Sequence, residues 1–309
     1  MNIKLFFRNN NRVFYFGRGD LMTQDKFPND FSTQEEISQP GIEKDMNPAP
    51  IYSECNYIND GKRLKNKIAI VTGGDSGIGR AISLAFAREG AKVIIIYLNE
   101  SEDAKKTLEL IEKENSEGLL IQGDIGSEDF CIEAIKTTVE KFGTIDILIN
   151  NAGEQHTCTS ITEITQDQLI RTFKTNVFGA FYMTKAALPH MKKGSSIINT
   201  TSITAYHGNK DLIDYSSTKG ALTSFTRSLA LNLASKGIRV NAVAPGPVWT
   251  PLIPASFKKS KFQKFGSNTL FKRPAQPVEL AEAYVFLASE GASFITGETI
   301  HVNGEIVNS

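Results

Sequence analysis

Tyr215 and Lys219 lie four residues apart, with Ser202 thirteen residues before the tyrosine and Asn176 earlier still. Residues at that spacing share one face of a helix, so Lys219 can hold its ammonium beside the Tyr215 phenol. A free phenol has a pKa of about 10, too high for a base at neutral pH. A fixed positive neighbour favours the phenolate and lowers that value, which makes Tyr215 a general acid and base nearer the working pH. Ser202 closes Ser196-Ile-Ile-Asn-Thr-Thr-Ser202, a buried strand running out into a loop. Its hydroxyl can steady a substrate oxygen from the side opposite Tyr215. Taken singly, Ser202 reads as well as a loop-capping hydroxyl, and Tyr215 as a half-buried core tyrosine. The combination carries the catalytic reading: an apparatus for moving a proton and a hydride.

Such an apparatus needs a hydride carrier, and the chain offers a place for one. Lys67-Ile-Ala-Ile-Val-Thr72 is a short apolar run suited to a strand buried on both faces. It enters Gly73-Gly-Asp-Ser-Gly-Ile-Gly-Arg80 and then the helical pattern Ala81-Ile-Ser-Leu-Ala-Phe-Ala87. Strand, glycine turn and helix together make the context of a dinucleotide site. Gly73 permits the tight turn, while Gly77 and Gly79 let a pyrophosphate approach the helix start, whose free N–H groups favour an anion. The next strand, Lys92-Val-Ile-Ile-Ile-Tyr97, ends in Tyr97, Leu98, Asn99 and Glu100. An acidic residue at that strand end would bind the ribose of NAD and repel the extra phosphate of NADP. Tyr97 does neither, no arginine or lysine stands there, and Glu100 argues mildly against NADP. The choice between NAD and NADP stays open.

Thr72-Gly-x-x-x-Gly-x-Gly79, Asn150-Asn-Ala-Gly153, the Ser202, Tyr215 and Lys219 set, and Pro245-Gly246 occur in that order. As a set they are specific, and over about residues 64–309 the chain resembles the short-chain dehydrogenase/reductase family. Within it, Thr72–Arg80, Arg171–Asn176 and Val243–Pro254 resemble the general stress protein 39-like oxidoreductases, close to glucose- and ribitol-dehydrogenase-like proteins. The resemblance implies an NAD(P)-dependent enzyme acting on a small alcohol or carbonyl compound, assembled as a tetramer. It implies cofactor contacts from Gly73, Asp75, Ser76, Gly77, Ile78 and Gly79, and from Tyr97, Leu98 and Asn99. Asp124, with Ile125 beside it, matches the contact to the adenine amino group. Asn151 matches the position holding strand and cofactor, and Ala152 and Gly153 line the adenosine half. Lys219 also binds the nicotinamide ribose, Asn176 anchors a proton-relay water near that lysine, and Pro245, Gly246, Val248 and Thr250 cover the nicotinamide. One departure is Glu305, where relatives commonly carry a second glycine; it bears on subunit packing more than on catalysis.

From Lys67 onward, apolar strands alternate with helical patterns. The alternation predicts one Rossmann-type, doubly wound α/β domain over 65–309, with helices on both faces of about seven parallel strands. Strands are expected near residues 67–72, 92–97, 118–122, 145–150, 195–200, 239–243 and 299–302. At 309 residues and 40% hydrophobic content the chain can bury one large core. Thirty-four basic and 34 acidic residues leave no electrostatic footprint for nucleic acid or a membrane surface. No apolar stretch approaches membrane-spanning length. Cys55, Cys131 and Cys158 are odd in number and lack metal spacing, which fits a reducing cytoplasm. Cys158 reads as a small buried residue or a reactive thiol. His156, His190, His207 and His301 form no ligand cluster in the sequence, although His156 and His207 follow motifs that place them near a pocket. No metal is implied.

Residues 1–64 form a polar extension. Met1–Gly19 is basic, aromatic and free of acids, which reads as a targeting segment or as a start assigned too early, with translation beginning at Met22. Residues 23–64 show no sustained periodicity and are expected either disordered or laid over a neighbouring subunit. Helical stretches near 165–190 and 212–235 are candidates for a subunit interface, the second being equally readable as a deeply buried helix. Residues 250–275 fall where the family's substrate lid lies; their lysines and phenylalanines would favour polyols, sugars or aromatic carbonyls, or form a solvated helix face. Two other functions remain at this level: a cofactor-sensing module without catalysis, and a sugar epimerase or dehydratase, which shares Tyr-x-x-x-Lys.

Overall fold

Runs of branched apolar residues bounded by turn residues form strands with no polar face, and such strands need helices on both sides. The computed structural model describes residues 28, 30–52 and 63–304 and has this architecture. In chain order the elements are β1 (Ile68–Thr72), α1 (Gly77–Arg88), β2 (Lys92–Tyr97), α2 (Ser101–Lys113), β3 (Gly118–Gln122), α3 (Glu128–Phe142), β4 (Ile147–Asn150), α4 (Gln166–Phe173) and α5 (Gly179–Ala187). There follow β5 (Ser196–Thr200), α6 (Thr204–His207), α7 (Ile213–Leu233), β6 (Arg239–Pro245), α8 (Leu252–Ser256), α9 (Lys259–Phe262), α10 (Val278–Ala288) and β7 (Thr299–Val302). The seven strands form one sheet in the order β3-β2-β1-β4-β5-β6-β7, with every pairing parallel. All seven strands expected from the sequence are present, with ends displaced by at most two residues.

The order reverses between β1 and β4, so the chain winds first one way and then the other. A crevice opens at that point beyond the carboxyl ends of the strands, and ligands of such sheets bind there. The two faces carry separate cores. On one, Ala81, Leu84 and Ala85 of α1 meet Tyr284 and Leu287 of α10, together with Ala104 and Ile111 of α2. On the other, Cys131 and Ile135 of α3, Met183 of α5 and Leu233 of α7 pack over Ile70, Ile94 and Ile197. Ser127 caps α3 by accepting from Phe130 N, and Gly143 ends it at φ 79°, the left-handed conformation that glycine adopts without a steric cost.

The polar extension departs from expectation. Between Asp30 and Tyr52 it lies on its own chain. Phe31, Met46, Trp249, Ile253 and Phe262 are buried together as a third apolar cluster, with the Phe31 and Trp249 ring centroids 4.1 Å apart. Trp249 Nε1 donates to Pro48 O at 2.7 Å. Ile37 N donates to Pro254 O at 3.0 Å and Val278 N to Ile51 O at 3.1 Å. Two apolar anchors fifteen residues apart generate no periodicity, and they match a pocket made by distant residues, so the sequence pattern hides them. The expectations about Met22, Cys55 and Glu305 concern residues outside those described.

Burying a phenylalanine contributes about 1.5–3 kcal/mol and truncating one to alanine costs about 3–5 kcal/mol. Trp249 is the single tryptophan, so it reports on this cluster directly. Phe31→Ala should shift Trp249 emission to the red and open it to acrylamide quenching. Unchanged emission and quenching would mean that the extension is not held there.

Candidate active site

The turn after β1 is shaped by close approach. Gly73 sits at φ +61°, and a Cβ on Gly79 would overlap the Gly73 carbonyl oxygen, so helix α1 presses its first turn against the loop. Asn151 clamps the same loop from β4: its Nδ2 donates to Thr72 O at 3.0 Å and Gly73 O at 3.2 Å. Ser76 at the head of α1 makes no side-chain capping bond, and the first turn of α1 holds no acidic residue. Such a helix start suits an anionic group, and its first N–H, that of Gly77, already meets one, donating to Glu43 Oε2 at 2.6 Å.

Above the turn lies a cavity of about 990 Å³, at the upper end of the range of about 300–1,000 Å³ usual for ligand sites. Gly73, Asp75, Ser76, Gly77, Ile78, Gly79, Tyr97, Leu98, Asp124 and Ile125 line one part of it. Asn151, Ala152, Gly153, Ser202, Tyr215, Lys219, Pro245, Gly246, Val248 and Thr250 line the rest. The glycine turn without room for a Cβ, the helix start and the long cleft together fit an extended dinucleotide. Asn99 is the exception among the expected cofactor contacts. It is exposed and absent from the cavity wall, because the chain leaves β2 there and its backbone N–H turns to the Glu100 carboxylate. Asp75 is buried beside this end of the cleft; burial and the nearby Glu100 push its carboxyl up to about 7.

Ser202, Tyr215 and Lys219, the groups expected to react, line the same cavity. Asp214 fixes the start of α7, accepting from Gln168 Nε2 at 3.0 Å, Thr172 Oγ1 at 2.9 Å and Tyr215 N at 2.9 Å. The following turn brings Lys219 Nζ to 5.5 Å from the Tyr215 ring centroid and lets it donate to Thr200 O at 2.8 Å. Ser202 Oγ accepts from Thr204 N and Thr204 Oγ1 at 3.2 and 3.1 Å, which orients it toward Tyr215. Lowering of the Tyr215 pKa by Lys219 is not what this geometry produces. Burial pushes the phenol up to about 12, only partly offset by a hydrogen bond with Ser202. Burial likewise brings Lys219 down to about 8. Desolvation prevails because the ammonium is spent on the Thr200 carbonyl rather than placed on the phenol oxygen.

Asn176 lies one layer behind the cavity, on a π-helical turn (Lys174–Phe178) between α4 and α5. Such single turns displace a side chain from regular helical spacing and recur at functional sites. Its Oδ1 accepts from Glu154 N at 2.9 Å, and its Nδ2 donates to Glu154 O and Thr218 Oγ1 at 2.9 and 3.0 Å. A Cβ on Gly153 would lie 3.3 Å from Asn176 Oδ1 and 3.4 Å from Lys219 Nζ, so both polar ends converge on that glycine. Glu154 stays below the ordinary carboxylate range: burial pushes it up, and His156 and Arg171 outweigh that.

Gln155 was not singled out in the sequence. It lines the cavity and is 4% exposed, and its Nε2 is buried without a hydrogen-bond partner among the described residues. Its place directly after Asn150–Glu154 was the available signal. The lid segment supplies Leu252, Phe257, Lys261, Lys264 and Phe265 to the wall, and Lys261 Nζ pairs with Asp211 at 2.9 Å. These side chains face the cleft instead of forming only a solvated face. His207 lines the cavity and His156 does not; Cys158 is half-buried, with Sγ 3.5 Å from Gln168 Oε1.

Known proteins agree with this geometry. A family model described as "Enoyl-(Acyl carrier protein) reductase" matches residues 73–304. General stress protein 39 of Bacillus subtilis (strain 168) is 54% identical over 278 residues, covering 90% of this chain and 97% of the relative. Glucose and ribitol dehydrogenase of Daucus carota is 49% identical over 285 residues, covering 90% and 98%. Among solved structures, 3-ketoacyl-(acyl-carrier-protein) reductase from Brucella melitensis complexed with NADH superposes with a TM-score of 0.72 at 34% identity, covering 78% of this chain and 98% of that one. A short chain dehydrogenase from Burkholderia cenocepacia J2315 in complex with NADP gives 0.74 at 31%, covering 79% and 99%. With sheet order, glycine turn and Tyr-x-x-x-Lys helix all in place, the chain belongs to the short-chain dehydrogenase/reductase family of NAD(P)-dependent oxidoreductases.

Proposed function

We propose that this protein interconverts a polyol- or sugar-like alcohol and its carbonyl compound, with Tyr215, Lys219, Ser202 and Asn176 as the catalytic set. The observation that carries the reading is that Ser202, Tyr215 and Lys219 line one cavity together with the glycine turn. The relatives named for glucose and ribitol point to the same substrate class. The bound nicotinamide supplies or accepts the hydride.

The residues do the rest. Ser202 holds the substrate oxygen, already oriented by Thr204. Tyr215 gives its proton to that oxygen in reduction and takes it back in oxidation. Lys219, buried and anchored on Thr200 O, passes a proton toward Tyr215 and holds the cofactor ribose. Asn176 keeps Glu154 and Gly153 in place behind Lys219 and anchors the relay water. Absorbance at the reduced-nicotinamide band, with NAD or NADP and a panel of polyols, sugars and carbonyls, tests the reading; binding without turnover across the panel would favour a cofactor-sensing protein.

We also read the protein as a cytoplasmic homotetramer. Phe178 and Phe181 are 45% and 48% exposed, and Phe181 stacks on Phe225 of α7 at 4.1 Å; this apolar face of α5 and α7 supports subunit packing.

Tyr215→Phe should lose about 10²–10⁴-fold in kcat with dinucleotide affinity unchanged; undiminished turnover would remove Tyr215 from the mechanism. The pH dependence follows from Lys219 at about 8 and Tyr215 at about 12. Tyr215 keeps its proton throughout the accessible range, so the first loss on raising pH is the Lys219 proton. Carbonyl reduction should be flat below about pH 8 and fall above it, while alcohol oxidation, which must release a proton, rises over the same range. Rate profiles in both directions check this, and reduction that stays level well above pH 8 would take Lys219 out of the proton path.

A further inference from the structure

The extension does more than pack beside the lid. Gln39, Pro40 and Gly41 line the same cavity as Gly77 and Thr250, so the extension forms part of the cofactor cleft's wall. It is latched at both ends of that crossing. On the lid side, Gln39 Nε2 donates to Gln155 O at 2.7 Å and to Ser256 Oγ at 2.8 Å. On the glycine-turn side, Glu43 is 5% exposed, and its Oε2 accepts from Gly77 N at 2.6 Å. Its other oxygen pairs with buried Arg80, and its backbone N–H donates to Asp103 Oδ2 at 3.0 Å. Arg80 in turn donates to Asp75 O at 2.9 Å and reaches Asp103 at 3.1 Å. Between the latches Gly41 lies so close to Pro251 that an added Cβ would collide with the Pro251 carbonyl.

We propose that residues 39–43 are a strap across the dinucleotide cleft, latched by Glu43 on the glycine turn, that sets how fast the cofactor leaves. The proposal rests on the dinucleotide occupying this cleft, as the function above requires. Because the strap bridges the α1 start and the lid, its closure completes the wall that the sheet and glycine turn leave open. Cofactor binding and strap closure are then linked: the cofactor favours the closed strap as much as the closed strap retains the cofactor. Where product-cofactor release limits turnover, the strap sets kcat. Glu43 is a positioning residue in this scheme and takes no part in proton transfer.

The full-length protein tests this with NADH and NADPH as probes. Stopped-flow fluorescence gives the dissociation rate, and a melting curve without cofactor checks the fold. Gly41→Val wedges the strap from Pro251 without altering a latch, and should raise the dissociation rate at least fivefold. Glu43→Gln keeps the shape and removes the charge. Loss of a negative charge beside a pyrophosphate would by itself slow release, so faster release from this variant reports the lost latch. In the unaltered protein, saturating cofactor should slow trypsin cleavage after Lys44, read by mass spectrometry. Dissociation unchanged within twofold in folded Gly41→Val overturns the proposal, and Glu43→Gln decides in the same way if the first variant does not fold. Equal cleavage after Lys44 with and without cofactor also overturns it. Failure of the unaltered protein to bind either probe would instead overturn the cofactor reading on which the strap depends.

Discussion

Strands that end together at a parallel sheet's carboxyl edge leave carbonyl groups with no neighbouring strand to pair with, and buried carbonyls need donors. Here the donors are side chains of the site. Asn151 covers Thr72 O and Gly73 O, Lys219 covers Thr200 O, and Asn176 covers Glu154 O. Behind them, Asn150 Nδ2 donates to Asn199 Oδ1 at 2.9 Å and Asn199 Nδ2 to Thr226 Oγ1 at 2.9 Å, tying β4, β5 and α7 at one level. The bonds that close the sheet edge therefore also set the positions of Asn151 and Lys219 in the cavity wall. A change at either loosens strand ends and cavity wall together.

The same burial decides the electrostatics. Two groups four residues apart on a helix suggest a charge pair, and a charge pair suggests a lowered phenol pKa. Enclosed in the site, each group meets a larger cost of becoming charged, so Tyr215 moves up and Lys219 down. The two values move apart, to about 12 and about 8, so each group favours its neutral form and the phenol is not held as a permanent anion. The balance follows from side-chain placement: an ammonium committed to Thr200 O is not available to hold a phenolate.

The architecture was legible because strand and helix patterns are local. Val93–Tyr97 is a continuous apolar run and Ser196–Thr200 is a short stretch centred on Ile197 and Ile198, and both lie in strands with the expected bounds or one residue fewer. The glycine turn was legible for a related reason, since only residues without a Cβ fit where Gly79 meets the Gly73 carbonyl. What the sequence hid depends on long-range encounter. Asn99 belongs by position to the cofactor strand end, yet the chain's exit from β2 turns it outward. Gln155 carries no mark of its own beyond following a glycine loop; its interest comes from an unpartnered Nε2 in a closed wall. The π-helical turn that seats Asn176 is invisible to helical periodicity, since it arises from the join of α4 and α5.

The extension shows the same limit from another side. A segment poor in apolar residues is expected to lack a core, because too little apolar surface is buried to offset chain entropy. Residues 30–52 escape that argument by borrowing a core. Phe31 and Met46 complete a cluster whose other members are Trp249, Ile253 and Phe262, and polar residues at Gln39 and Glu43 find partners on the folded body. Gln34 Nε2 bonds back to Asp45 O at 3.2 Å within the extension itself, so the segment is braced internally as well as docked. Composition measures what a segment can bury on its own; here the burial is shared, and only the folded body shows with what.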